Sequence, residues 1–523
     1  MQFGKSYLEG DSNMMKVNPL KTGAILSYIS MIIGFVIPII YTPIMLGILG
    51  QNEYGIYSLA NSVISYLTIL NLGMGQAIIR YISYYRAKDD YENINRILSL
   101  FLIIFMILAL VVLLGGLILF IGTPFWFNKG LTISEISTLR ILILIMTLST
   151  SITFISSVFS AACTSFEKYI FRRILEIIGT LLAPILNLVV LFLGYKSIGM
   201  ALVGLMYNIF LMFIYIYYSY KKLKIRILHK NLPLDRLKEI FSFSIYVFIS
   251  SLVDMLYWST DKVLIGSMIG SVAVAVYNVG GTFSTMFQNL SNSIGNVFGP
   301  RVNRLVAIES SKDVYNELLI RIGRIQFFII ALAFTGYVVF GRVFIHFWAG
   351  DTYQEAYVIA LLTMGPLIIP LIQNIALTTA VAKNKHRFRA IIYFIIAIAN
   401  IVGTYLTIPT YGIIGAATCT CIAFIIGHGF VMNIYYYKVL QFDIISFWKN
   451  IIRISFIPIL MMIIGLIIFR YYIIQTFWEF GLCVIGYTLL YIILNYFINF
   501  NGYEKNLIKE PIQKILRWCK YGR

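Results

Sequence analysis

The chain has 523 residues, of which 59% are hydrophobic and only 12% charged, and its mean hydropathy is +0.85. A soluble globular domain carries roughly a quarter charged residues, so that class is excluded, and the ten-residue alternation of an outer-membrane barrel is absent. The net charge of +19 raises the question of nucleic acid, which the placement of the basic residues answers below. What remains is an all-α polytopic membrane protein, because apolar runs of about 20 residues are what a bilayer core of about 30 Å demands.

The N-terminus is polar as far as Lys16, with Met14 and Met15 as alternative starts. The apolar run that follows is too long for a signal-peptide core, so the first span reads as an uncleaved helix behind a cytoplasmic segment, 1–20. Apolar runs between charge and Gly/Pro breaks then give about fourteen spans. They lie near 21–48, 54–82, 95–122, 135–160, 169–194, 198–220, 241–266, 272–299, 322–346, 354–382, 388–409, 412–437, 450–470 and 475–499. Pro38 and Pro43 remove backbone donors and predict a kinked first helix. The tail, 501–523, alternates Leu507, Ile508, Ile512, Ile515 and Leu516 with lysines, as an interfacial amphipathic helix does.

Lysines and arginines in short loops stay on the cytoplasmic side. With the N-terminus inside, the 41 basic residues fall in cytoplasmic segments except Lys129, Lys196, Arg342 and Arg470 in outer loops and Arg140 and Lys262 within spans. Both termini are therefore expected in the cytoplasm, and the net charge needs no nucleic acid.

An internal repeat sharpens the organisation. Glu53-Tyr-Gly-Ile-Tyr57 lines up with Ala273-Val-Ala-Val-Tyr277, and Lys168-Tyr-Ile-Phe-Arg-Arg173 with Lys385-His-Arg-Phe-Arg-Ala390. Tyr195-Lys-Ser-Ile-Gly199 likewise matches Tyr411-Gly-Ile-Ile-Gly415. Two lobes of six spans are expected, 21–220 and 241–437, joined by a cytoplasmic linker, 221–240, and followed by two extra spans, 438–500. An even number of spans per copy gives both lobes the same orientation, an arrangement in which transporters place the substrate between the halves.

Charges inside apolar spans are expensive and normally face a protein interior or a wet cavity. Asp254 and Asp261, seven residues apart, fall on nearly one face of a continuous helix, with Lys262 beside them. Asp254 and Asp261 are candidates for proton or sodium coupling, against structural pairing or hydrogen bonding. Lys262 is the in-membrane cation for an anionic substrate, against snorkelling or pairing with Asp254 or Asp261. Ser284, Gln288, Asn292 and Asn296 recur every fourth residue, and Asn61, Ser65, Thr68 and Asn71 form the equivalent stripe in the first copy. Two such stripes suggest sugar-facing walls, though isolated amides also serve as interhelical glue. Arg80 and Arg301 suit the inner mouth or plain topological anchoring. Glu176 reads as a partner of Arg172 and Arg173, and His428 as a packing histidine more readily than a titrating one.

Leu49-Gly-Gln-Asn-Glu53-Tyr-Gly-Ile-Tyr57, Leu72-Gly-Met-Gly75, Arg80-Tyr-Ile and Asp261-Lys-Val-Leu-Ile-Gly266 resemble Wzx-type polysaccharide flippases of the multidrug/oligosaccharidyl-lipid/polysaccharide (MOP) superfamily. The resemblance implies a V-shaped, MATE-like pair of lobes in the bacterial cytoplasmic membrane. They would flip undecaprenyl-pyrophosphate-linked oligosaccharide for capsule, exopolysaccharide or O-antigen-like polymers by alternating access. Membrane lipids, a polysaccharide polymerase and chain-length machinery are the implied partners. The alternatives are a cation-coupled multidrug antiporter and a peptidoglycan lipid II flippase, the latter disfavoured because spans 1 and 2 offer only Arg80. A membrane glycosyltransferase or polymerase would call for a long outer loop that is missing. No Walker motif or catalytic constellation stands out, and the five cysteines lack metal-ligand spacing. The chain is therefore expected to be no enzyme and to need no cofactor beyond proton or sodium coupling.

Overall fold

The computed structural model describes residues 19–228, 232–308, 311–383, 385, 387–507, 509 and 510. The segment 1–18 and most of the basic tail lie outside the described residues, as do the side chains of Asp254 and Asn296. Among the described residues the regular structure is helical throughout.

The first compact unit comprises residues up to Asn128 and Thr132–Leu252. It holds α1 (Pro19–Thr68), a 3-10 turn at Ile69–Asn71, α2 (Met74–Arg86), α3 (Tyr91–Trp126), α4 (Ile133–Ser165), α5 (Tyr169–Phe192), α6 (Lys196–Lys221) and most of α7 (Leu237–Trp258). Lipid tails are as apolar as leucine, so such helices associate through close packing and hydrogen bonds. Here α3 buries Leu98, Phe101 and Phe105 and α4 buries Leu139, Leu142 and Ile143, and Phe105 meets Phe154 of α4 edge-on at 6.3 Å. Gly116 permits the approach, since a Cβ there would come within 2.2 Å of Thr147. The Ser151 hydroxyl then donates to the Ala109 carbonyl at 3.1 Å. Asp90 caps α3 by accepting the side-chain amide of Asn93 (2.7 Å) and its backbone N–H (3.1 Å). Those bonds hold its carboxyl below the usual range.

The second unit comprises Lys129–Leu131 and Val253 onward. It contains the end of α7, then α8 (Thr260–Met268), α9 (Ser271–Ala307), α10 (Lys312–Trp348), α11 (Ala356–Ile372), α12 (Asn374–Ala382) and α13 (Arg387–Phe424). A π-helical turn at Ile425–Val431 leads into α14 (Met432–Lys438), followed by α15 (Ile444–Tyr471) and α16 (Phe477–Ile498). α10, α15 and α16 share a core of Phe340, Ile457, Met461, Tyr487 and Tyr491. Outward, α15 and α16 expose Ile452, Phe456, Trp478 and Leu482, a surface suited to lipid and not to water. The protein is a multi-pass membrane protein.

Among the described residues, nine helical stretches are long and apolar enough to cross a bilayer, ten if the pair α11 and α12, bent by 54°, makes one crossing. Gly50 (φ 72°) and Gly412 (φ 56°) break α1 and α13 each into two helices, at the turns expected between the first and second and between the eleventh and twelfth spans. The second expected span is broken where Leu72 and Gly73 both take the left-handed conformation, rare for leucine. The seventh is interrupted at Ser259, which keeps right-handed helical angles. Gly50 and Gly270 have positive φ and stand at matching places in the sequence repeat.

Candidate functional site

Asp254 stands on α7 and Asp261 in the first turn of α8, on either side of Ser259, across which backbone bonds of helical spacing continue from Met255 to Ser259 and from Ser259 to Val263. Asp261 is only 1% exposed. Its carboxylate accepts the Tyr277 hydroxyl of α9 at 2.6 Å, Thr420 of α13 at 2.8 Å and Thr404 of α13 at 3.4 Å. A buried carboxylate is tolerated only with such donors. Asn400, one turn from Thr404, donates to the Thr420 hydroxyl at 3.2 Å, while its own buried Oδ1 has no partner among the described residues. Asp261 thus pins α8 to α9 and α13.

Lys262 turns elsewhere. Its Nζ donates to Asn278 Oδ1 at 2.6 Å and forms no ion pair among the described residues. The ammonium lines a cavity of about 130 Å³ together with Asp261, Tyr257, Trp258, Asn278, Thr282 and Thr285. Its hydrogen bond goes to an amide, while the Asp261 carboxylate, held by three hydroxyls, acts on it through space from the same lining. The pocket therefore offers a cation, hydroxyls and aromatic faces at once, the combination that suits an anionic, hydroxyl-rich group.

The two amide stripes diverge. On α9, Ser284 is fully buried and bonds the Thr363 hydroxyl of α11 at 2.6 Å. Gln288 is half-buried and reaches back to the Ser284 carbonyl at 3.5 Å. Between these, Ser291 donates to the Leu371 carbonyl, and Gln326 of α10 donates to the Ser291 hydroxyl at 3.3 Å. Asn292 is half-buried without a described hydrogen bond. On α1, Asn61 is exposed and donates to its own helix at the Tyr57 carbonyl (2.9 Å), as Ser65 does to Ser62 and Thr68 to Ser65. Asn71 sits in the 3-10 turn, beyond the regular stripe, with a buried Oδ1 that has no described partner.

Arg80 is exposed in the middle of α2, and Arg301 is exposed on α9 beside Pro300. Arg140 stacks on Phe120 at 4.0 Å. Glu176 pairs with Arg172 (3.0 Å) and Arg173 (2.6 Å), as its spacing predicts. His428 lies in the π-helical turn and bonds the Tyr393 hydroxyl at 2.6 Å, a packing role. Tyr277, Asn400, Thr404 and Thr420 were not singled out as site residues by the sequence pattern. Threonines in apolar spans are common, and only the fold brings these to Asp261.

Comparison with known proteins follows the same direction. Residues 20–306 match the family described as polysaccharide biosynthesis protein. A putative O-antigen transporter of Shigella flexneri is 22% identical over 399 residues, covering 73% of this chain and 91% of that one. The lipid II flippase MurJ in an inward closed conformation shares the fold with a TM-score of 0.73 and 15% identity, covering 93% of this chain and all of that one. An inward-facing MATE transporter of the MOP superfamily gives a TM-score of 0.62 at 13% identity, covering 80% and 99%.

Proposed function

The chain belongs to the polysaccharide biosynthesis protein family, and from that premise we propose that it is a flippase for lipid-linked oligosaccharide, moving polyprenyl-pyrophosphate-borne repeat units across the membrane. It is a transporter of the MOP superfamily and not an enzyme. The observation that carries the substrate reading is Lys262, a cation hydrogen-bonded to an amide and in no ion pair among the described residues, beside hydroxyls and aromatic rings. A pyrophosphate needs cationic neutralisation, and sugar hydroxyls need amides and stacking faces. The same lysine argues against the multidrug alternative, because it repels the small aromatic cations such an antiporter carries. A cavity of about 130 Å³ fits one sugar or phosphate group at a time, so the lipid tail stays outside it.

We assign the coupling of protons or sodium to Asp261, supported by its buried carboxylate, the surrounding hydroxyls and the unpartnered oxygen of Asn400. Asp254 stays a second candidate on its position in α7. Asn61, Asn71, Gln288, Asn292, Asn296, Arg80 and Arg301 complete the proposed substrate path. Its setting is the bacterial cytoplasmic membrane with both termini inside, a placement supported by the segregation of Lys and Arg. The oligosaccharide would pass to a polymerase and its chain-length machinery. The test is deletion of the gene followed by analysis of surface glycan and lipid-linked intermediates. Loss of surface glycan with accumulation of intermediates on the inner leaflet supports flipping. Unchanged glycan with altered dye resistance supports drug export instead.

A further inference from the structure

A second cavity, of about 560 Å³, lies where the N-terminal ends of α10 and α15 meet the chain leaving α16. Glu317, Arg321, Arg324, Asn450, Arg453 and Tyr503 line it. Arg324 is neutralised internally: its guanidinium grips both oxygens of Glu504 at 2.7 and 2.9 Å and the Asn499 carbonyl at 2.9 Å, all buried. This buried pair fixes the segment after α16 against α10. The other two arginines are not neutralised. Arg321 stacks on the Tyr503 ring at 3.2 Å, which orders the guanidinium without consuming its N–H donors. Arg453 is exposed on α15. Neither forms an ion pair among the described residues, and Glu317 is the single acidic lining residue. The cavity therefore keeps an excess of positive charge.

We propose that this cavity binds the phosphate headgroup of an anionic phospholipid from the surrounding bilayer. Two guanidiniums free of ion pairs among the described residues, Arg321 ordered by Tyr503 and Arg453 exposed, with amides beside them form a phosphate receptor, since the guanidinium fork matches phosphate oxygens. A lipid fits better than a free anion because the cavity opens beside lipid-facing residues: Ile452 is 67% exposed, Phe456 65% and the lining residue Ile498 62%. Acyl chains would run along that surface. The tail of this chain is a poor occupant, for its Lys505, Lys509, Lys514, Arg517 and Lys520 add positive charge. Basic pockets between membrane helices are where anionic headgroups bind. The proposal stands apart from the transport reading and makes the headgroup a bridge between α10 and the α15–α16 pair.

The purified full chain is mixed with phosphatidylglycerol or phosphatidylcholine in detergent, and retained lipid is read by native mass spectrometry beside the melting temperature. Phosphatidylglycerol should be retained at least about tenfold over phosphatidylcholine and should raise the melting temperature. The variant Arg321→Gln/Arg453→Gln should lose that preference and that rise, a charge-assisted contact being worth about tenfold or more. Arg453→Gln alone, at an exposed residue without an internal partner, should lose about tenfold with the lipid-free melting temperature unchanged. Arg453→Lys should restore part of it. Equal retention of the two lipids by the native protein overturns the proposal, as does equal phosphatidylglycerol retention by native protein and both variants. A response to inorganic pyrophosphate alone that matches the lipid's overturns it in favour of a free-anion site.

Discussion

The stripes on α1 and α9 arise from equivalent places in the sequence repeat, yet the fold uses them differently. On α9, Ser284 and Ser291 are buried and joined to α10 and α11 through Thr363, the Leu371 carbonyl and Gln326. On α1, Asn61, Ser65 and Thr68 satisfy themselves on their own helix, and Asn61 stays exposed. The buried serines of α9 have become interhelical glue, whereas the α1 stripe closes its hydrogen bonds on its own helix. A four-residue polar period therefore identifies a face, while burial decides what the face does.

That contrast can be broken by substitution. The largest effect on stability is expected at Asp261→Ala, which orphans the buried hydroxyls of Tyr277, Thr404 and Thr420. Thermal unfolding in detergent should show a loss of about 3 kcal/mol or more, and an unchanged melting curve would contradict the pinning role. Next comes Lys262→Ala, which should cut surface glycan about tenfold or more while protein abundance holds. Normal glycan output would remove Lys262 from the substrate path. Ser284→Ala should cost about 1 kcal/mol of stability, and the double-mutant cycle with Thr363→Ala should show coupling of about 0.5 kcal/mol or more. The smallest stability effect belongs to Asn61→Ala, expected within about 0.5 kcal/mol of the native protein but with reduced glycan export. If Asn61→Ala destabilises as much as Ser284→Ala, the two stripes are alike after all.

The helical class was legible because apolar length is dictated by the bilayer itself. The kinks at Gly50 and Gly412 coincide with expected outer turns, where a left-handed backbone favours glycine. The break at Leu72 could not be read, since leucine does not announce a helix end. Likewise the Asp261 cage draws Thr404 and Thr420 from more than 100 positions away, with no periodic signal to unite them. The joint at Asn433 was equally silent. Its amide donates to the His428 and Gly429 carbonyls of the π-helical turn at 2.8 Å, while its oxygen accepts Gln373, at the α11–α12 break, and Trp448 of α15. Such π-turns and broken helices recur at functional sites in transporters.

The central claim is that the ammonium of Lys262 meets a lipid-linked glycan's negative charge on its way through the membrane. Proteoliposomes holding a fluorescent polyprenyl-pyrophosphate oligosaccharide, quenched from outside by a membrane-impermeant reagent, measure that transfer directly. The account predicts leaflet exchange by the native protein, a rate at least about tenfold lower for Lys262→Gln, and recovery with Lys262→Arg. Exchange by Lys262→Gln at the native rate, or none by the native protein, would contradict it.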